Sequence, residues 1–413
     1  MPLKEKENLR VVLVSLGIPA ALFVYYKLTW GSVGAFVTAI DHCEHLFCDF
    51  VNHYYPMAKT FFTAHTPVTG YFYTSFFALF LTLFSLFSLE NAVAMWGVLQ
   101  ATVTFLLFLF PALYFIKRSK VQYLLYMLLF FSSFPVLHNF KWGQVSIGVT
   151  LCVTGAFFLY DGNRKAWPAI LLALSFSIKF YTGVFFIYFL IKKDFRFIAV
   201  FLAAVILFMM VLPSMGIGIE DNIAFYKSVN RAIDSSRAWI SQDANSQYAA
   251  NVITRVLPLP GITTLYRIIL VILGYIVFGI NIYLVFRLTR GKDSKDRDER
   301  WWAFFLLFVS LPFVLETSWS HYFVYLPFCH VFLFAALRGR NGGGGRGELW
   351  LKAIQYLFLG VSMVLASIFF FNFIGRWYAF ALDGYLFFSN LLLLIVFYSL
   401  HFRQGKEEEK VKL

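Results

Sequence analysis

Charge is scarce in this chain. Only 14% of its 413 residues are Asp, Glu, Lys or Arg, against 60% hydrophobic, and mean hydropathy is +0.70. Cysteine is equally thin. The four residues Cys43, Cys48, Cys152 and Cys329 stand at no metal-ligand spacing, and no carboxylates pair as a hard-cation site would need. No metal and no cofactor are therefore expected. No Walker motif, GxGxxG or HExxH occurs, so nucleotide-binding and zinc-protease signatures are absent. Nor is there an obvious internal repeat of the kind transporters carry.

What is abundant is apolar. Several runs reach the roughly 18–20 residues that cross a bilayer. In lipid the backbone must satisfy its own polar groups, so these runs read as helices and the chain as an all-α, polytopic integral membrane protein. Val11 to Trp30, after Lys4, Lys6 and Arg10, is too long for a signal peptide and shows no convincing small-residue cleavage site. The 52 Phe and other aromatics read mostly as lipid-facing and interfacial packing. The net charge of +13 reads as cytoplasmic loops obeying the positive-inside bias, with no nucleic-acid partner.

That bias decides the topology. Both 71–88 and 92–116 are apolar enough to span. If both did, Lys117-Arg118-Ser119-Lys120 and every later basic loop would fall outside. With 71–88 lying on the outer face, 25 of the 35 Lys and Arg fall in cytoplasmic segments and 10 elsewhere. The expected spans are 10–30, 92–116, 121–138, 145–160, a short pair 166–178 and 181–191 flanking Lys179, then 196–213, 263–286, 301–315, 322–337, 350–371 and 382–401. That makes about twelve transmembrane helices in one domain, 1–402, with an interfacial helix in the first outside loop (31–91). A second long polar outside loop follows at 214–262. Gly342 to Gly345 reads as a flexible linker, and 403–413 as a charged cytoplasmic tail. Both termini are expected in the cytoplasm.

The inside loops are short, basic and repetitive. The outside segments hold a mixed set: Asp49, Tyr54, Tyr55, Lys141, Gln144, Lys179, Asn245, Arg255 and His321. Ionisable groups at a membrane edge are costly unless paired or solvated, and several separate segments send them to one face, so one outward-facing pocket is expected. Singly each has a plainer reading. Asp49 is also explained as a solvated loop acid. Lys59 and Lys27 read as snorkelling anchors, Lys179 as a cation at a helix C-terminus, and Gly143-Gln144 as a turn and helix cap. His42, His45, His65 and His138 are placed on the surface. Cys43 and Cys48 share a loop and either pair or stay as free thiols.

The order of motifs carries a resemblance. The stretch Cys48-Asp49-Phe50-Val51-Asn52-His53-Tyr54-Tyr55-Pro56-Met57-Ala58-Lys59 is followed by Gly70-Tyr71-Phe72-Tyr73-Thr74 and Trp142-Gly143-Gln144-Val145-Ser146. Ser177-Ile178-Lys179-Phe180-Tyr181, Asn245-Ser246, Arg255 and Ser318-Trp319-Ser320-His321 come next. This resembles glycosyltransferase family 87, membrane glycosyltransferases of GT-C type, over about residues 40–330. The chain departs from the family at Tyr71-Phe72-Tyr73-Thr74-Ser75, where Tyr-x-Tyr-Pro-Pro is usual, and at His321-Tyr322, where a second His is usual. The resemblance implies sugar transfer from a polyprenyl-phosphate donor to a lipid or glycan acceptor hydroxyl, on the outer face of the plasma (inner) membrane. Asp49 would then be the general base. Lys179, Arg255 and His321, with Lys141 behind them, would hold the phosphate, and Gln144 and Tyr54 the sugar hydroxyls. The rival readings are a transporter or flippase of lipid-linked sugars and a non-catalytic membrane scaffold.

Overall fold

The computed structural model describes all residues except 1–2, 41–42, 44, 161–164, 260–261, 290–296, 340–345 and 413. It describes backbone alone for 3–10, 33, 37, 297–298, 346–347 and 402–412. Asp41, His42, Glu44, the basic stretch from Arg290 and the Gly342–Gly345 run therefore lie outside the described residues, as do the side chains of the tail.

Among the described residues every regular element is helical, and extended pairing is limited to two isolated bridges, Ser133 with Ser367 and Ser246 with Trp319. Among the described residues, seven stretches are long and apolar enough to cross a membrane. They are Val11–Trp30, Leu89–Arg118, Phe195–Ile217, Thr263–Thr289, Ser320–Gly339, Glu348–Leu365 and Trp377–His401. Five shorter apolar stretches, Ser75–Leu86, Lys120–Phe131, Ser146–Leu159, Ala166–Ile178 and Phe180–Ile191, fall below the roughly 20 residues a straight span needs. Seven described stretches thus qualify as candidate spans by length and composition, beside the about twelve expected from the sequence. Val11–Trp30 is only 6% buried and sits at the rim, whereas Ser320–Gly339 is 83% buried and forms the centre.

The short helices arise from breaks that neighbours repair. The expected helix 121–138 divides at Ser132-Ser133 into Lys120–Phe131 and Phe134–Trp142. A second helix breaks at the same level, at Ser367, and the two exchange backbone bonds. Phe134 N–H donates to the Ala366 carbonyl at 2.9 Å and Ile368 N–H to that of Ser132 at 2.8 Å. Interrupted backbone is tolerated among apolar surroundings when protein replaces the lost partners. The chain also breaks at Lys179, which is extended (φ −133°, ψ 115°) between Ala166–Ile178 and the 3-10 turn Phe180–Phe185.

The segment expected as a polar loop, 214–262, is largely helical. Ile219–Gln242 runs for 24 residues, with Glu220 and Asp221 in its first turn, where carboxylates favour the helix dipole. It buries Phe225, Val229 and Ile240 on one face, which gives a polar sequence enough apolar surface to fold.

Two apolar clusters result. The larger fills the bundle around Phe304, Phe308, Tyr325 and Phe328. The smaller gathers Phe50, Tyr54, Phe61, Tyr71, Tyr73, Phe77 and Trp96. In it Phe50 stacks on Trp96 at 4.8 Å, and Tyr54 meets Trp96 edge-on at 5.6 Å. This aromatic floor carries the stretch from Cys48 to Lys59.

Candidate functional site

The floor fixes Asp49. Cys43 and Cys48 form a disulfide, closing the turn just before it. Phe47 takes φ +61° and donates its N–H to the Lys141 carbonyl at 2.7 Å. Beyond Asp49 the chain makes one wide π-helical turn, Phe50–Tyr54, before the α-helix Tyr55–Ala64. Such turns are locally costly and recur at functional sites. Adjacent residues on a helical turn point apart, and the two tyrosines do so here. Tyr54 is buried beneath the site, and Tyr55 donates outward to the Phe87 carbonyl at 2.9 Å.

Gly143 fixes the opposite wall. It ends the Phe134–Trp142 helix in the left-handed region (φ +64°), and Gln144 N–H then reaches back to the Asn139 carbonyl at 3.0 Å. Its carbonyl accepts from Trp96 Nε1 at 3.0 Å. A Cβ here would come within 2.8 Å of Phe47 Cβ and 2.9 Å of Trp96 Nε1. Gly143→Ala therefore combines left-handed strain with a clash between the two walls. It is expected to lower stability by about 2 kcal/mol or more, read as a lower Tm in detergent. An unchanged Tm would mean that the two walls are not held together here.

Polar groups converge on the Gln144 side chain. Tyr54 Oη donates to Tyr73 Oη at 2.7 Å, and Tyr73 Oη donates to Gln144 Oε1 at 2.9 Å. Lys179 Nζ donates to the same oxygen at 3.3 Å and to Ser146 Oγ at 3.0 Å. The Gln144 backbone carbonyl is held by Gln100 Nε2 at 3.1 Å and Asn139 Nδ2 at 2.9 Å. Lys179 also lies 4.1 Å over the Tyr322 ring and 5.3 Å from that of Tyr73. Burial pushes the Tyr54 and Tyr73 phenols well above their ordinary value, so both stay protonated and donate. Asp49 is within electrostatic reach of Lys179, Tyr54, Tyr73 and Tyr322.

A cavity of about 700 Å³ opens above this network. Asp49, Tyr54, Tyr73, Gln144, Asn245 and His321 line it, with His53, Trp142, Trp239, Asp243, Trp319, Trp377 and Tyr378. Of the nine residues singled out in the sequence, five reach the cavity directly. Lys179 stands behind the wall, bonded to Gln144. Lys141 is buried, 4.9 Å over the Trp142 ring. Asn245 is part of the frame, its side-chain oxygen accepting the Ser320 N–H at 3.2 Å.

Two residues are not brought in. Tyr55 points to Phe87, as above. Arg255 gives its guanidinium to the carbonyls of Leu382 (3.2 Å), Asp243 (3.0 Å) and Ser246 (2.7 Å), and lines a separate cavity with Asp383 and Tyr385. It acts as a rivet between backbone segments.

Sequence reasoning missed His138. It was placed on the surface, but it is fully buried, 4.8 Å from the Trp377 ring and nearly parallel to His321 at 5.9 Å. Among the described residues neither imidazole has a hydrogen-bond partner, nor do the indole N–H groups of Trp142 and Trp319. His65 is half-buried, its Nδ1 2.6 Å from Asp221 Oδ2. Lys59 donates to the Ser85 carbonyl at 2.7 Å. The missed cavity aromatics, Trp239, Trp377 and Tyr378, carry no local motif, since they come from elements far apart in sequence. Three or more His, Cys, Asp or Glu do not cluster for a metal anywhere among the described residues.

Residues 71–312, more than half of the chain, match the model of glycosyltransferase family 87. The chain belongs to that family. It is also similar to the polyprenol-phosphate-mannose-dependent α-(1-2)-phosphatidylinositol mannoside mannosyltransferase of Mycolicibacterium smegmatis, with 26% identity over 235 residues. That match covers 55% of this chain and 49% of the relative, so the chain matches about half the length of that protein. No solved structure matches.

Proposed function

We propose that this protein is a membrane glycosyltransferase that moves a hexose or pentose from a polyprenyl-phosphate sugar to a hydroxyl of a lipid or glycan acceptor. The transfer would take place on the outer face of the membrane. The observation that carries this reading is the pairing of groups across one cavity. Asp49, His321, Trp142 and Trp319 line it together, the ring nitrogens of the last three are buried without a hydrogen-bond partner among the described residues, and Lys179 stands behind. The family match and the donor named for the mycobacterial relative support the same chemistry.

The step needs few groups. Asp49 takes the proton of the acceptor hydroxyl as its oxygen attacks the anomeric carbon. The bond from that carbon to the phosphate oxygen breaks, and polyprenyl phosphate leaves with the electron pair. One such displacement inverts the anomeric centre. Fixed donors aimed at the phosphate stabilise the growing charge, most strongly where water is scarce. His321, which lines the cavity, is one such donor, and Lys179 acts through Gln144 and Ser146. The isoprenoid tail fits an apolar groove of about 430 Å³ lined by Phe23, Trp30, Phe36, Leu46, Leu137 and Phe140. The helix Phe134–Trp142 lines both, giving Leu137 and Phe140 to the groove and Trp142 to the cavity.

The test is to incubate the purified protein in lipid nanodiscs with labelled polyprenyl-phosphate sugars and a membrane lipid extract. Label appearing in a new glycoside supports the reading. In sealed vesicles, movement of sugar or lipid across the bilayer without transfer would replace it with the transporter reading.

A further inference from the structure

The outer part of the cavity has a chemistry that proton transfer and phosphate binding do not use. Trp239 and Tyr378 line it, yet they are 59% and 58% exposed. They come from unrelated elements, the Ile219–Gln242 helix and the short helix Trp377–Leu382. Trp377, next to Tyr378, is buried and stacked on His138, so Tyr378 is mounted on a rigid base. Ser236, Gln242 and Asn245 line the same cavity.

Large exposed rings on a cavity mouth leave apolar surface in water until something covers it. A plain lipid chain does not suit the polar groups beside them. A pyranose or furanose does, for its two kinds of surface match both. Its C–H faces lie against the negative face of an aromatic ring, and the hydroxyls around its edge meet amide and hydroxyl groups that both donate and accept. About 700 Å³ lies in the upper part of the ~300–1,000 Å³ range of ligand pockets, leaving room beyond the reacting sugar.

We propose that Trp239 and Tyr378, with Gln242 between cavity and solvent, form a carbohydrate-binding rim that grips a sugar of the acceptor. The acceptor is then a glycan or a glycolipid headgroup, with at least one sugar unit beyond the attacking hydroxyl. This rests on the cavity being a glycosyl-transfer site, but its test does not require transfer.

Intrinsic tryptophan fluorescence and calorimetry are measured as the full-length protein in nanodiscs is titrated with soluble manno-, gluco- and arabino-oligosaccharides of one to three units. The expected result is binding by at least one series that tightens from one unit to two. Trp239→Ala and Tyr378→Ala should each weaken it roughly tenfold, the loss of about one ring-face contact. Trp239→Phe should keep most of the affinity. Both positions are exposed, so folding should be unaffected, which the Tm checks. Equal affinities for wild type and the alanine variants would overturn the rim, as would absence of binding by every series. Failure to consume a polyprenyl-phosphate sugar, with sugar binding intact, would count against the proposed function alone. If transfer is observed, the alanine variants should raise the acceptor KM and leave the donor KM unchanged.

Discussion

Asp49→Asn is expected to lower the transfer rate by roughly a hundred- to ten-thousand-fold, the usual worth of a positioned general base. The substitution keeps the size of the side chain and removes its ability to take a proton. Asp49 is 8% exposed and its backbone is held on both sides, by the disulfide before it and the π-helical turn after it. The variant should therefore fold and insert normally. A second carboxylate, Asp243, lines the same cavity, and it supplies the control. Its Oδ1 already accepts the Asn245 N–H at 2.9 Å in a local turn. Asp243→Asn should cost far less activity. Transfer assays on both variants, beside a Tm for each, check this. Near-normal turnover by Asp49→Asn would remove it as the base, and a larger loss from Asp243→Asn would move the role there.

Replacing Lys179 by Met should lower kcat/KM for the lipid-phosphate donor by about ten- to a hundredfold, with acceptor KM little changed. Loss of a donor that touches a developing anion costs about a hundredfold or more, and a group held one residue back costs less. Met keeps most of the volume, so packing against the Tyr322 ring survives while the charge and two hydrogen bonds are lost. The effect is indirect, since Lys179 stands one residue back from the cavity. Lys179→Arg should recover only part, because a larger, planar guanidinium must fit where a compact ammonium sits between Gln144 and Ser146. The informative measurement is donor kinetics at saturating acceptor. Donor kinetics unchanged in the Met variant would end this role.

The all-helical fold was legible because lipid leaves the backbone little choice. The break at Lys179 was legible too, since one cation interrupts an apolar run. Asp49 could be marked because it stands in a polar stretch of a greasy chain. Side-chain direction was not legible. Tyr54 and Tyr55 are adjacent and alike in sequence, yet one lies buried beneath the cavity and the other points to Phe87. Arg255 is as basic as any phosphate ligand, but three carbonyls left over at chain breaks claim it first. His138 read as a surface residue because its partners, His321 and Trp377, lie far along the chain. The polar stretch 214–262 hid a helix because its apolar positions are few, though spaced to share one face.

The amide of Gln144 has a fixed sense. Tyr54 spends its hydrogen on Tyr73, Tyr73 spends its own on Gln144 Oε1, and the Lys179 ammonium donates to that oxygen as well. An amide turned end over end would set its N–H against the hydrogen that Tyr73 sends to this position. Oxygen is thus locked inward, and the –NH₂ is the end left for whatever enters. The cavity wall at this point offers hydrogen and does not accept it. On the proposed function, an oxygen of the incoming sugar or phosphate would be received there, so the direction of three hydrogen bonds sets which edge of a ligand can turn toward Gln144.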